Sequence, residues 1–449
     1  MPTNTASKPN VVLFISHDTG KMYSPYGYDT VRTPNFEKLA RESVVFDRCF
    51  CTTPLCAPAR AALVTGRYPH QNGMNGLPGD ILGGHDLVEK DRHFASVFRR
   101  NGYRTVLCGF EHETVEMFSV GFEEGIHGIG HCNNGGRDDL LDAHKAITNW
   151  FARNPGAGTD TPFYMQIGCG PTHRDWVSDG ATPYTEKGVW KAPYLVDSPE
   201  VDADMALQQG SCNKLDQGVG NIMAAFEKLG MTRNTIFVFT TDHGIDFPRA
   251  KGTLFDPGVE VGLFMRYDNG GWAKNARCPL LASHVDVYPT VLEACGIPVP
   301  AGCAGASFLR ALKDPSDTRP IRDAVYLEKT YHDNYDPMRG LRTDRYKYVM
   351  NFDAQTLYDV RIATAPNYRW FKFPFHKPRR EELYDLQNDP HESKNLANDP
   401  AHDSLRRQFK KQLADWMRQT NDPLLDGPMP SPYHLRASKE MKELGVTHE

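Results

Sequence analysis

The chain has 449 residues, 40% hydrophobic and 24% charged, with a formal charge of −5. That length is enough to bury a large core and form more than one domain. The small net charge argues against nucleic acid as the main partner, and no run of about 18 apolar residues is present to cross a membrane.

The N-terminal MPTNTASKPN leads into the apolar run at 10–16, which reads as a buried parallel strand and is too short for a secretory signal core. Residues 33–43 predict a helix with Pro34 near its start, and 60–65 predict the first turns of another, closed by Gly66. A helix over 94–101 stops at Gly102 and is followed by a strand over 103–109. An amphipathic helix at 140–153 precedes a strand at 163–169, and 203–229 is the longest helical run. Strands follow at 234–241 and 260–266, then a helix at 285–295. This alternation predicts an α/β fold with a large, mostly parallel sheet flanked by helices on both faces.

The tail differs. Residues 341–350 alternate like an antiparallel strand, 382–386 form a second, and 405–419 form an amphipathic closing helix. We therefore divide the chain into a catalytic α/β domain at 1–340 and a smaller C-terminal α+β domain at 341–449. The ten cysteines lack framework spacing, which fits a reduced, cytoplasmic protein. Dimerisation is open, since no signature for it is present.

Open α/β sheets bind ligands at the carboxyl ends of their strands. Two strands here end in an acid and an imidazole, at His17-Asp18 and at Asp242-His243. Both pairs can converge on one cation only if the chain turns as it leaves the sheet, as Gly20 and Gly244 permit. The bland alternative is that each pair caps a strand and faces solvent. Between these strands lies Cys56-Ala57-Pro58-Ala59-Arg60 at a helix start. Free amides there, together with Arg60, lower a thiol pKa and attract an anion. Cys108, Cys169 and Cys295 read as core cysteines, and Cys49 and Cys51 as packing residues.

These residues carry a family resemblance. CAPAR at 56–60 followed by LVTGR at 63–67 resembles the sulfatases, within the alkaline-phosphatase-like superfamily. RYPHQNGMNGL at 67–77, YDPMRGLRTDRY at 335–346, ELYDLQNDPHESKNLANDP at 382–400 and WMRQTNDP at 416–423 are similar to the heparan N-sulfatase (sulfamidase) branch. The resemblance implies that Cys56 is oxidised to formylglycine by a separate formylglycine-generating enzyme. One hydroxyl of the aldehyde hydrate then attacks sulfur, and the other loses its proton so that sulfate leaves without water attacking sulfur. It also implies one divalent cation, Ca²⁺ in the family, at His17, Asp18, Asp242 and His243, with Arg60 supporting the nucleophile and Lys251 binding the sulfuryl group. His112 and His173 match the histidines that serve proton transfer and the leaving group.

Four positions depart from the pattern. His17 stands for the first of two aspartates, and His243 for an asparagine. Phe110 stands for a lysine, and Gly170 for a histidine. Two imidazoles suit Zn²⁺, Mn²⁺ or Fe²⁺ better than Ca²⁺, and an unconverted Cys56 is then itself a candidate metal ligand or nucleophile. Tyr331 and His332 are candidates for the substrate mouth, and His70 for a structural role. Three functions follow. The first is a metal-dependent hydrolase of sulfate esters or sulfamates. The second is a phosphoryl or phosphonate ester hydrolase. The third is a non-catalytic pseudo-sulfatase that binds a small anionic ligand.

Overall fold

Strand β1 (Asn10–Ser16) is buried along its whole length. Its odd side chains Val11, Leu13 and Ile15 enter one hydrophobic core, and Val12 and Phe14 enter another on the opposite face. A strand apolar on both faces must lie inside a sheet covered on both sides. The computed structural model describes residues 8–79, 83–129, 140–332, 334–353 and 380–444.

Among the described residues, the main sheet joins β1 to β2 (Val44–Phe50), β3 (Arg104–Gly109), β4 (Glu124–Ile126), β5 (Phe163–Gly168), β6 (Thr235–Thr241), β7 (Glu260–Arg266) and β8 (Ala276–Ser283). The order is β4-β3-β5-β1-β6-β7-β2-β8. Strand β7 runs antiparallel to both its neighbours, and the remaining pairings are parallel. The large, mostly parallel sheet expected from the sequence is therefore present.

Register decides where the strands end together. Gly109 pairs with Gly168, Gly168 with Ile15, and Ser16 with Thr241. The four central strands thus release their chains at one level. His112, His173, His17-Asp18 and Asp242-His243 all follow within a few residues.

The smaller sheet is antiparallel, in the order β12-β11-β10-β9: β9 (Val325–Tyr331), β10 (Tyr335–Arg342), β11 (Tyr346–Asn351) and β12 (Glu381–Asp385). The stretch 341–350, expected as one strand, is split by a turn at Thr343. Its hydroxyl accepts the Tyr346 amide at 3.0 Å. The second sheet begins at Val325, ahead of the proposed boundary at 340. Helix Asp403–Gln419 lays Phe409, Leu413, Trp416 and Met417 on it, in a core shared with Ala62 of the Cys56 helix.

Candidate active site

The helix Cys56–Thr65 is buried at every residue and is closed by Gly66 in the left-handed conformation. Its sequence is rich in alanine, so it packs closely among its neighbours and presents Cys56 from its first turn. The helix starts earlier than the expected 60, at the cysteine itself.

Ligating atoms of His17, Asp18, Cys56, Asp242 and His243 all lie within 4.8 Å of one another, and all five residues are buried. The two strand-end pairs therefore converge and do not cap strands in solvent. The turn after β1 uses Gly20, as expected, together with Asp18. Asp18 itself is left-handed, with φ 50°, as is Gly20. Aspartate tolerates this region better than most residues. Gly244 serves close approach instead, because a Cβ there would stand 1.8 Å from the Pro257 carbonyl.

His17 Nδ1 is 2.8 Å from Asp18 Oδ1 and 3.0 Å from Asp242 Oδ2. His243 Nε2 is 3.1 Å from Asp18 Oδ1 and 3.4 Å from the Cys56 sulfur. Its other ring nitrogen lies 2.9 Å from the Gly244 carbonyl. A carbonyl only accepts, so Nδ1 carries hydrogen and Nε2 faces the cluster. The donor set of two imidazoles, two carboxylates and a sulfur fits a divalent cation of borderline softness.

Cations close the cluster from two sides. Arg60 donates through Nε to Asp242 Oδ2 at 3.0 Å and through Nη2 to the Ser16 carbonyl at 3.1 Å. Lys251 Nζ stands 2.7 Å from Asp18 Oδ2 and 3.7 Å from Asp246. Burial opposes ionisation of the Cys56 thiol, yet Lys251, His17 and His243 outweigh it and hold the pKa well below the usual thiol value. Burial also opposes charge on His17, but Asp242, the Cys56 sulfur and Asp18 raise it well above an ordinary histidine. Asp18 is held low against burial by Lys251 and His243. The cluster is thus a set of opposite charges that a metal ion can enter.

His112 hydrogen-bonds the Cys56 sulfur. His173 meets the His17 ring edge-on at 4.5 Å, and burial followed by the Lys251 charge lowers its pKa. Phe110 stacks on His17 at 5.4 Å and lies 4.7 Å beneath the Arg60 guanidinium, filling the wall with an aromatic face. Tyr331 packs on His85 and Tyr335, and its hydroxyl donates to the Met429 carbonyl. His332, at the end of the same strand, is buried. His70 pairs with Glu328 at 2.5 Å, in a network that continues through Arg339 to Asp422, so its surroundings are those of a structural residue.

Two residues escaped the sequence reading. Asp246 links Lys251 to Arg174, and the Thr172 hydroxyl stands 3.0 Å from both the His17 and the Asp18 carbonyl, which share its one hydrogen. Asp246 had one signal, its position four residues after Asp242; Thr172 had none.

With this geometry in view, the comparisons with known proteins agree. The sulfatase family profile matches residues 9–297, and one described as N-sulphoglucosamine sulphohydrolase, C-terminal, matches 249–367. The chain belongs to the sulfatase family and is a sulfatase-type hydrolase of sulfate or sulfamate esters. It is 27% identical to human N-sulphoglucosamine sulphohydrolase, over 93% of this chain and 92% of that protein. It is also 27% identical to an ulvan-active sulfatase of Formosa agariphila, over 92% of this chain and 76% of that one. The putative sulfatase YidJ of Bacteroides fragilis superposes with a TM-score of 0.74 at 20% identity, over 96% of this chain and 99% of that one. BT4656, solved with its substrate D-glucosamine-2-N,6-O-disulfate, superposes with a TM-score of 0.72 at 18% identity, over 93% and 99%.

Proposed function

We propose that the enzyme removes a sulfuryl group from a sulfated sugar, as an O-sulfate or N-sulfate, with Cys56 as the source of the nucleophile. The observation that carries this is the convergence of Cys56 with His17, Asp18, Asp242 and His243 at the ends of β1 and β6. The similarity to the N-sulphoglucosamine sulphohydrolase and the ulvan-active sulfatase supports a sugar as the leaving group.

His17, Asp18, Asp242 and His243 hold one divalent metal, and the imidazoles favour Zn²⁺, Mn²⁺ or Fe²⁺ over Ca²⁺. When bound, the metal supplies Lewis acidity to the sulfuryl oxygens, and formylglycine at position 56 supplies an oxygen nucleophile. Arg60 fixes Asp242 and keeps a positive charge beneath the reacting centre. Lys251 binds a sulfuryl oxygen from the opposite side. His112, on the Cys56 side chain, moves a proton at that atom. His173 faces the leaving group; burial and the Lys251 charge lower its pKa, which makes its imidazolium form a strong proton donor to the departing atom.

The site also motivates a second reading. His243 Nε2 lies 3.4 Å from the Cys56 sulfur, where an unmodified thiolate is itself a ligand. Such a centre serves phosphoryl or phosphonate esters. Peptide mass spectrometry of Cys56, metal analysis, and kcat/KM for 4-nitrophenyl sulfate against an aryl phosphonate separate the two. Loss of the thiol mass with sulfate turnover is expected. An intact thiol with preferred phosphonate turnover selects the second reading.

A further inference from the structure

The loop between β6 and β7 carries Lys251, and its main chain is held by ion-pairing side chains of the other sheet. Lys347 on β11 is fully buried. It donates to the Leu254 carbonyl at 2.8 Å and pairs with Asp256 at 2.7 Å and Glu392 at 2.6 Å. The carbonyl takes one ammonium hydrogen, and the two carboxylates balance the buried charge as ion pairs. Glu392 in turn accepts the Asp256 amide at 2.7 Å. Lys329 on β9 donates to the Gly252 carbonyl at 3.0 Å and pairs with Asp336 at 2.6 Å. The Gly252 amide donates to the Pro54 carbonyl at 3.0 Å, two residues before Cys56. Arg249 stacks on Phe255 at 3.9 Å and donates to the carbonyls of His391 and Glu392 at 2.9 Å each.

These contacts bracket Lys251 on both sides. Gly252 is its immediate neighbour, and Arg249, Leu254 and Asp256 lie within five residues of it. The 249–256 loop is buried or half-buried throughout, so its carbonyls need partners, and here lysines supply two of them although each buried lysine costs desolvation. The arrangement has a purpose if the height of the loop over the cluster must be fixed.

We propose that Lys329 and Lys347 are positioning residues: the C-terminal sheet clamps the 249–256 main chain and so sets Lys251 against the sulfuryl group. This rests on the reading of Lys251 as the sulfuryl ligand. The second sheet is then part of the catalytic apparatus and not an appendage. Lysine is suited to the task, because one compact ammonium reaches a carbonyl and two carboxylates at once.

A double-mutant cycle on the full-length, metal-loaded enzyme tests the clamp. Lys329→Met and Lys347→Met are each made alone and with Lys251→Ala. The readouts are calorimetric affinity for inorganic sulfate and kcat/KM for 4-nitrophenyl sulfate. Each clamp variant is expected to weaken sulfate about fivefold when Lys251 is present and less than about twofold when it is absent. Lys347→Arg, which retains the charge but not the compact ammonium, is expected to recover only part of the loss. Lys329→Met carries the test alone if Lys347→Met does not fold, as thermal melting will show. Equal losses in both backgrounds overturn the clamp and leave the Lys251 assignment standing. If Lys251→Ala binds sulfate as tightly as wild type, the Lys251 assignment itself falls, and the clamp with it.

Discussion

A single oxygen of Asp242, Oδ2, lies 3.0 Å from Arg60 Nε and 3.0 Å from His17 Nδ1. The buried carboxylate is therefore balanced from the nucleophile helix and from the first strand at once. Phe110 also lies against both the His17 ring and the Arg60 guanidinium.

Removing Arg60 should be costly in two ways. Arg60→Ala leaves Asp242 buried with one partner fewer, which costs about 3–5 kcal/mol when a buried pair is broken. It also removes positive charge next to the reacting centre, and turnover should fall by about 10²-fold or more. Arg60→Lys keeps the charge but cannot reach both Asp242 and the Ser16 carbonyl, so it should be intermediate. Thermal melts and kcat/KM for 4-nitrophenyl sulfate give both numbers. An Arg60→Ala enzyme with wild-type melting would show that the pair contributes little to stability.

Metal retention should depend on His243. Its Nε2 faces Asp18 and Cys56, and the Gly244 carbonyl fixes the ring through Nδ1. His243→Ala removes a nitrogen donor and should weaken metal binding by at least about 10–100-fold, the loss usual even for groups that only orient a ligand. Elemental analysis after dialysis should find metal near one per chain in wild type and strongly reduced in the variant. Full retention would remove His243 from the ligand set.

Much of this site was legible because polar residues follow apolar runs at strand ends, a local signal. The strands that were missed had local signals against them. In β2 the pair Asp47-Arg48 interrupts the apolar run; Arg48 turns to Asp344, and the register shifts there. In β8 Pro279 argues against a strand, but β8 is at the sheet edge, where a missing amide is tolerated. The helix Pro432–Glu443 buries none of its residues, so no burial pattern marks it in the sequence. Asp246, Thr172 and the lysines under the 249–256 loop act across long separations in the chain. Their roles depend on which strands pair, and spacing alone does not carry that.

Gly244 illustrates such a nonlocal constraint. A methyl group there would meet the Pro257 carbonyl at 1.8 Å and the Gly258 Cα at 2.8 Å. Both are backbone atoms and cannot rotate away. Gly244→Ala should push the Asp242-His243 turn from the 256–259 segment, costing about 1–3 kcal/mol and lowering metal content. Gly27→Ala is the control: its φ is 87°, but nothing lies within 4 Å of the new methyl. Melting and metal analysis of the two should differ, with metal loss confined to Gly244→Ala. Equal metal content in both would show that the turn yields without disturbing the site.

His93 gives the fold an acid limit away from the metal cluster. Its Nδ1 accepts the Ala95 amide at 3.0 Å and caps the helix Phe94–Arg100. An acceptor nitrogen must be unprotonated, and burial pushes the pKa down from 6.5 to about 4. The folded pKa is thus below the unfolded one. The stabilisation is fully present above about pH 6.5 and is lost as pH falls toward 4, by about 1.4 kcal/mol for each pH unit between those two values. The total is of order 3 kcal/mol. His93→Asn keeps a capping oxygen and cannot titrate. Its melting temperature should fall less than that of wild type between pH 7 and 4. Parallel curves for the two proteins would place the acid sensitivity elsewhere.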